Sequence, residues 1–168
     1  AMGQGRMVTP LYLAENPLDG NLYVSDRRLR TIVIMSKSGE YVGEFDPELP
    51  EEELPLFETG DVQWAPIALG FAPDGTLYVT EILNGHRLLM FNPEGEFQWS
   101  VGTSGIGGQS CHPLPGFQFP NGVKVLGESV YVTDSNNRRV QVFSLDGQFE
   151  RFIETEGLPR GFDFLNKN

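Results

Sequence analysis

Three carboxylates close three similar apolar runs. Asp26 ends Gly20-Asn-Leu-Tyr-Val-Ser-Asp26, Glu81 ends Gly75-Thr-Leu-Tyr-Val-Thr-Glu81, and Asp134 ends Gly127-Glu-Ser-Val-Tyr-Val-Thr-Asp134. Arginines follow two of them at short spacing, at Arg87 and Arg139. An acid close to a guanidinium can belong to an active constellation, or it can brace a turn. One set per copy of a motif favours the brace, because catalysis needs groups that converge on a single point. Arg27, Arg28 and Arg30 after Asp26 form a small basic run, read as a solvated hairpin.

Two other stretches carry reactive side-chain types. Residues 46–61 hold seven acids (Asp46, Glu48, Glu51, Glu52, Glu53, Glu58, Asp61) and no base. They could meet a basic partner or a cation, but no D-x-D-x-D-G spacing is present, so calcium is not expected. The plainer expectation is a solvated connector with a short helical turn near Glu51–Leu54. Cys111 and His112 are adjacent, which places them on opposite sides of an extended loop rather than as nucleophile and base. With two His and one Cys in the chain, zinc lacks soft ligands, and neither a metal nor a cofactor is expected.

These residues must be positioned by a repeat. From Tyr23, Tyr78 and Tyr131, a second apolar run ends at Met35, Phe91 and Phe143; glycines follow at Gly39, Gly95 and Gly147, and aromatics at Tyr41, Phe97 and Phe149. Each unit opens with a proline-led run, at Pro10, Pro66 and Pro120, and a fourth opening stands at Pro159–Phe164. One unit reads as four short strands with Asp-Gly and Pro-Asp-Gly turns. A lone four-stranded antiparallel sheet cannot bury both faces, and stacking copies about an axis solves that problem. The fold class is therefore all-β, with blades of the propeller type.

Composition agrees. The chain of 168 residues holds 20 Gly and 12 Pro, which disfavours long helices. No run approaches the roughly 18 apolar residues of a membrane helix, so no membrane insertion is expected. The net charge of −11 argues against nucleic-acid partners. That acidity is local: without the 46–61 stretch the chain carries only −4.

The third unit, Phe119-Pro-Asn-Gly-Val followed by Val130-Tyr-Val-Thr-Asp-Ser-Asn-Asn-Arg-Arg-Val-Gln-Val-Phe-Ser-Leu-Asp-Gly147, closely resembles the NHL repeat. The second follows it with Tyr78-Val-Thr-Glu81, Asn84, Arg87 and Phe91 and one inserted residue. The first departs from it, with Leu29 and Thr31 where the pattern expects Asn and Arg. The resemblance covers roughly residues 10–164 and implies a six-bladed propeller that serves mainly as a binding platform. Some relatives are enzymes, and tripartite-motif relatives bind proteins or RNA. Six blades at about 40–45 residues need about 240–270. Three blades per chain are thus half of a six-bladed ring, closed by a second copy as a homodimer, or a fragment of one.

The expected organisation is a lead-in at 1–9 (Ala1-Met-Gly reads as an expression remnant), then blade 1 at 10–65 with an acidic insertion at 46–63. Blade 2 spans 66–119 with a Gly-rich insertion at 102–118, blade 3 spans 120–157, and 158–168 supply the first strand of a fourth. Both insertions should decorate one end, the candidate surface for a protein or small ligand. The candidate site residues are Glu51, Glu52, Glu53, Glu58 and Asp61, with Cys111 and His112 in the second insertion. Asn121 and Arg160 join them as axis-lining positions of the proline-led openings. Trp64, Phe71, Trp99 and Phe152 are read as inter-blade core. The expected function is a non-catalytic scaffold. The alternative implied by the resemblance is part of a lactonase, lyase or hydrolase type of propeller enzyme with an axial metal or acid–base site. The compartment is left open, an extracytoplasmic one included.

Overall fold

A computed structural model of the chain describes residues 5–54, 64–83, 85–102 and 116–165. It contains twelve strands in three antiparallel four-stranded sheets, each paired in chain order. Blade 1 is β1 (Pro10–Glu15), β2 (Leu22–Asp26), β3 (Thr31–Met35) and β4 (Tyr41–Phe45). Blade 2 is β5 (Pro66–Phe71), β6 (Leu77–Glu81), β7 (Arg87–Phe91) and β8 (Phe97–Val101). Blade 3 is β9 (Pro120–Leu126), β10 (Ser129–Asp134), β11 (Arg139–Ser144) and β12 (Phe149–Glu154). No helix among the described residues is long and apolar enough to cross a membrane.

The turns follow from their residues. The strand three to strand four turn of each blade ends on a left-handed glycine, Gly39, Gly95 or Gly147, whose amide bonds back to Ser36, Asn92 or Ser144. A side chain at such φ is strained, which is why glycine recurs there.

The blades stack through β1, β5 and β9, and between them lie two cores. Ile32, Trp64, Leu69, Leu77, Val79, Leu89 and Phe91 fill the space between blades 1 and 2. Ala68, Tyr78, Leu88, Val101, Val123, Val132 and Phe143 lie between blades 2 and 3. Blade 2 is covered on both faces, so all of β6 is buried, whereas β1 and β12 are largely exposed. Hydroxyls tie the blades at their inner ends: Ser25 Oγ donates to the Ile67 carbonyl (2.6 Å), and Thr80 Oγ1 donates to the Pro120 carbonyl (2.9 Å). Tyr78 Oη reaches the Leu145 carbonyl at 3.0 Å.

Trp64, Phe71 and Trp99 lie in or against these cores, as expected. Phe152 does not. It is 42% exposed, stacks on Phe149 and carries the Arg139 guanidinium 4.1 Å above its ring. The register shift between Val142 and Phe143 sets Phe152 opposite Gln141 on the same face as Phe149, and on this outermost strand the ring caps Arg139 instead of entering the core. The run Pro159–Phe164, expected to open a fourth blade, pairs with no strand; it packs against β9 through Gly122 and Lys124 and against Tyr131 of β10.

Gly70 of β5 sits where a Cβ would lie 2.8 Å from the Val123 carbonyl oxygen, a backbone atom that cannot yield. Gly70→Val is expected to lower unfolding free energy in urea by about 1–3 kcal/mol. Gly157→Val, in open space, should change it by less than about 0.5 kcal/mol.

Candidate functional site

In every blade the turn between strands two and three and the linker entering strand one lie at the same end of the sheet, because the strands alternate in direction. The recurrent acids stand at that end, and each one latches the incoming linker. Asp26 Oδ2 accepts the amides of Val8 (2.5 Å) and Thr9 (2.8 Å). Glu81 Oε2 accepts Ala65 N–H at 3.2 Å, and Asp134 Oδ1 accepts Gln118 N–H at 2.6 Å. Side chains of all three are fully buried, and such groups need several donors to stay ionised.

The remaining donors differ by blade. Arg87 Nε bonds Glu81 at 2.8 Å, and Leu83 N–H adds a bond at 3.2 Å. Arg139 Nε, Asn137 Nδ2 and Gln141 Nε2 each bond Asp134 Oδ2 at 2.8 Å. Asp26 has no arginine; Arg28 and Leu29 amides supply its bonds at 2.9 Å. Burial pushes the Asp26 carboxyl up, but these backbone donors prevail and hold it below its ordinary value. Its stabilisation is therefore present above the usual carboxylate range and lost as pH falls through the depressed folded value. With lone pairs filled by fixed donors, these acids are placed to hold backbone rather than to shuttle protons.

The arginines extend the latch to the preceding linker. Arg139 Nη2 bonds the Gly116 carbonyl at 2.9 Å. Arg87 Nη2 bonds the Glu53 carbonyl at 2.8 Å, while its Nη1 pairs with the Glu53 carboxylate. Ser100 Oγ donates to the same carboxylate at 2.8 Å. Glu53 thus pins the acidic connector to blade 2. The connector forms the short helical turn expected there, over Glu51–Glu53, and Glu51 and Glu52 point into solvent.

The other candidates separate. Asn121 is half-buried on β9, and Arg160 is exposed beyond β12. Glu58, Asp61, Cys111 and His112 lie outside the described residues. An open groove of about 610 Å3 runs along the inner strands, walled in part by Leu13, Leu69, Phe71 and Val125. Its carboxylates are paired, Glu15 with Lys37 (2.8 Å) and Asp163 with Lys124 (3.7 Å). Among the described residues no three His, Cys, Asp or Glu side chains group as metal ligands.

His86 was not singled out by the sequence, where it reads only as a hairpin residue. It adopts φ 59°, its Nδ1 accepts Phe119 N–H at 3.3 Å, and its ring meets Phe119 edge-on at 5.7 Å. Burial lowers its pKa, while Glu81 and Asp134 pull the other way.

Two outcomes follow. Arg87→Met strands the buried Glu81 charge and releases Glu53, and should cost about 3–5 kcal/mol in urea unfolding; adding Glu81→Met should recover only part of that loss, because the Ala65 and Leu83 amides lose their acceptor. Because the folded state disfavours His86 protonation, stability should fall as pH drops below about 6.5. His86→Asn should flatten that slope in a series of thermal melts.

The comparisons with known proteins agree with this geometry. Residues 117–143 match the NHL repeat. No curated protein matches the chain in sequence. Among solved structures, hydrazine synthase of Kuenenia stuttgartiensis is similar with a TM-score of 0.62 at 18% identity, over 96% of this chain and 40% of that one. A chain of the nidogen/laminin complex gives 0.63 at 18% identity, over 92% of this chain and 51% of that one. Virginiamycin B lyase from Staphylococcus aureus gives 0.59 at 15% identity, over 90% and 44%. The chain spans about half the length of these structures or less. With an NHL repeat matched at residues 117–143 in blade 3 and propeller-type neighbours along nearly all of its length, this chain is an all-β protein with a β-propeller-type fold whose three sheets do not close a ring.

Proposed function

We propose that the chain is a protein-binding scaffold that recognises its partner through the end bearing the latches and linkers. One observation carries this reading. The recurrent acids are saturated by structural bonds, and among the described residues Arg27, Arg28 and Arg30 stand exposed together on the β2–β3 turn, with Asp46, Glu48, Glu51 and Glu52 exposed on the connector and Arg138 on the β10–β11 turn at the same end. The three arginines form no ion pair among the described residues. Guanidinium groups on a rigid hairpin suit bidentate contact with carboxylates of an acidic protein segment. Loops on a fixed sheet are also where recognition is usually placed. The similarity to a chain of the nidogen/laminin complex supports the reading only as a similar fold found in a protein complex.

A second reading, part of a propeller enzyme, draws on the inner groove with Glu15, Lys124 and Asp163 and on the likeness of fold to a lyase. It is the weaker one, because both groove carboxylates are paired with lysines.

Fluorescence polarisation against acidic and basic peptides, with wild type, R27E/R28E/R30E and E51K/E52K, separates the outcomes. The wild type should select acidic peptides, and the arginine reversal should weaken them at least tenfold with the melting temperature unchanged. Selection indifferent to both sets of reversals would sink the proposal. Turnover of an ester or lactone, lost on Lys124→Ala but not on arginine reversal, would favour the enzyme.

A further inference from the structure

Blade 2 packs through two unlike faces. It turns Leu69, Leu77, Val79 and Phe91 toward blade 1, and Ala68, Tyr78, Leu88 and Val101 toward blade 3. The repeat spacing carries both sets onto the outer blades. On blade 1 the first set becomes Leu13, Leu22, Val24 and Met35, which wall an open groove of about 460 Å3. On blade 3 the second set becomes Gly122, Tyr131, Val140 and Ile153. Leu13 is 54% exposed, Val42 beyond it 54%, and Ile153 42%. The turn glycines tell the same story. A Cβ at Gly95 or Gly147 would lie 3.1 Å from Phe45 or Trp99 of the preceding blade, whereas one at Gly39 of blade 1 would have nothing within 4 Å.

We propose that these two faces are the halves of one interface, and that a second copy of this chain covers the blade 1 face with its blade 3 face. A twofold arrangement buries both faces of both copies at once and places six blades around one axis. The chain itself carries the complement that the blade 1 face requires: a small residue on the inner strand (Gly122 for Ala68), a tyrosine on the second (Tyr131 for Tyr78), and an apolar residue on the fourth (Ile153 for Val101). By analogy with Phe45 against Phe91, whose rings lie 5.1 Å apart, Met35 should meet Ile153 of the second copy.

The C-terminal segment holds part of that seat in the single chain. Phe164 meets Tyr131 edge-on at 5.0 Å, just as Phe71 meets Tyr23 at 5.0 Å. The Arg160 carbonyl lies 2.9 Å from where a Gly122 Cβ would be. The hold is weak: the segment has no strand pairing, its ion pair to Lys124 spans 3.7 Å, and Arg160, Gly161 and Asp163 are exposed. Strand β1 of the second copy displaces it.

Light scattering on the whole 168-residue chain should give about twice 18.7 kDa at micromolar concentration. Leu13→Arg and Ile153→Arg, both at exposed positions and therefore compatible with folding, should each raise the dissociation constant at least tenfold. A chain ending at residue 158 should associate more tightly. In a Cys111→Ser background, Met35→Cys and Ile153→Cys proteins mixed together should join through a short bis-maleimide, and neither should join alone. A monomer at all concentrations overturns the proposal. So does a dimer indifferent to both arginines, or one without the Met35–Ile153 cross-link. A blade 1 face covered only when other blades are supplied assigns the seat to another polypeptide and likewise overturns it.

Discussion

The structure depends on a buried carboxylate at the end of strand two of each blade. A charge taken out of water is tolerated only where fixed donors replace the water, and here the first donors are amides of the segment entering the blade. The acid therefore joins two parts of the chain that are distant in sequence, the linker and the hairpin. It sets where strand one begins, which in turn sets how β1, β5 and β9 meet. The same bonds anchor the ends of the linkers, so that long insertions can leave the sheet without loosening it.

The blades solve the remaining donor problem differently, and the difference shapes the surface. In blades 2 and 3 an arginine on strand three enters the site, and its far nitrogens take hold of the preceding linker, at Glu53 or at Gly116. Blade 1 has Thr31 at that position, so its turn folds tightly enough for Arg28 and Leu29 amides to reach Asp26. A backbone solution leaves side chains unused. Arg27, Arg28 and Arg30 consequently point outward, and the irregular repeat becomes the basic corner of an otherwise acidic protein.

Much of this was legible in the sequence, because repeats report periodic constraints. Proline-led openings, Tyr-Val runs and turn glycines lie at fixed offsets, and they locate all twelve strands to within a residue or two. The bracing role of the acids was legible for the same reason. Other facts depend on contacts between blades, which no local pattern carries. Glu53 is one of three consecutive glutamates, and only the position of Arg87 and Ser100 distinguishes it from its exposed neighbours. Phe152 reads as core, yet on the outermost strand it covers the Arg139 guanidinium and stays partly exposed. His86 gains significance only because Phe119 comes to lie beside it.

The two-faced blade also explains why burial is so uneven. A blade with neighbours on both sides, like blade 2, can be apolar throughout, and its strands lose the polar alternation of a half-exposed sheet. Blades 1 and 3 carry the same repeat, so their sequences still specify apolar residues for neighbours, although each has one neighbour within the chain. Their exposure is therefore a consequence of the repeat rather than a scatter of surface hydrophobes, and it falls on opposite faces at the two ends. Adding blades in a line would move those faces apart but would not remove them. Only closure about the axis does so, since it brings the first face onto the last.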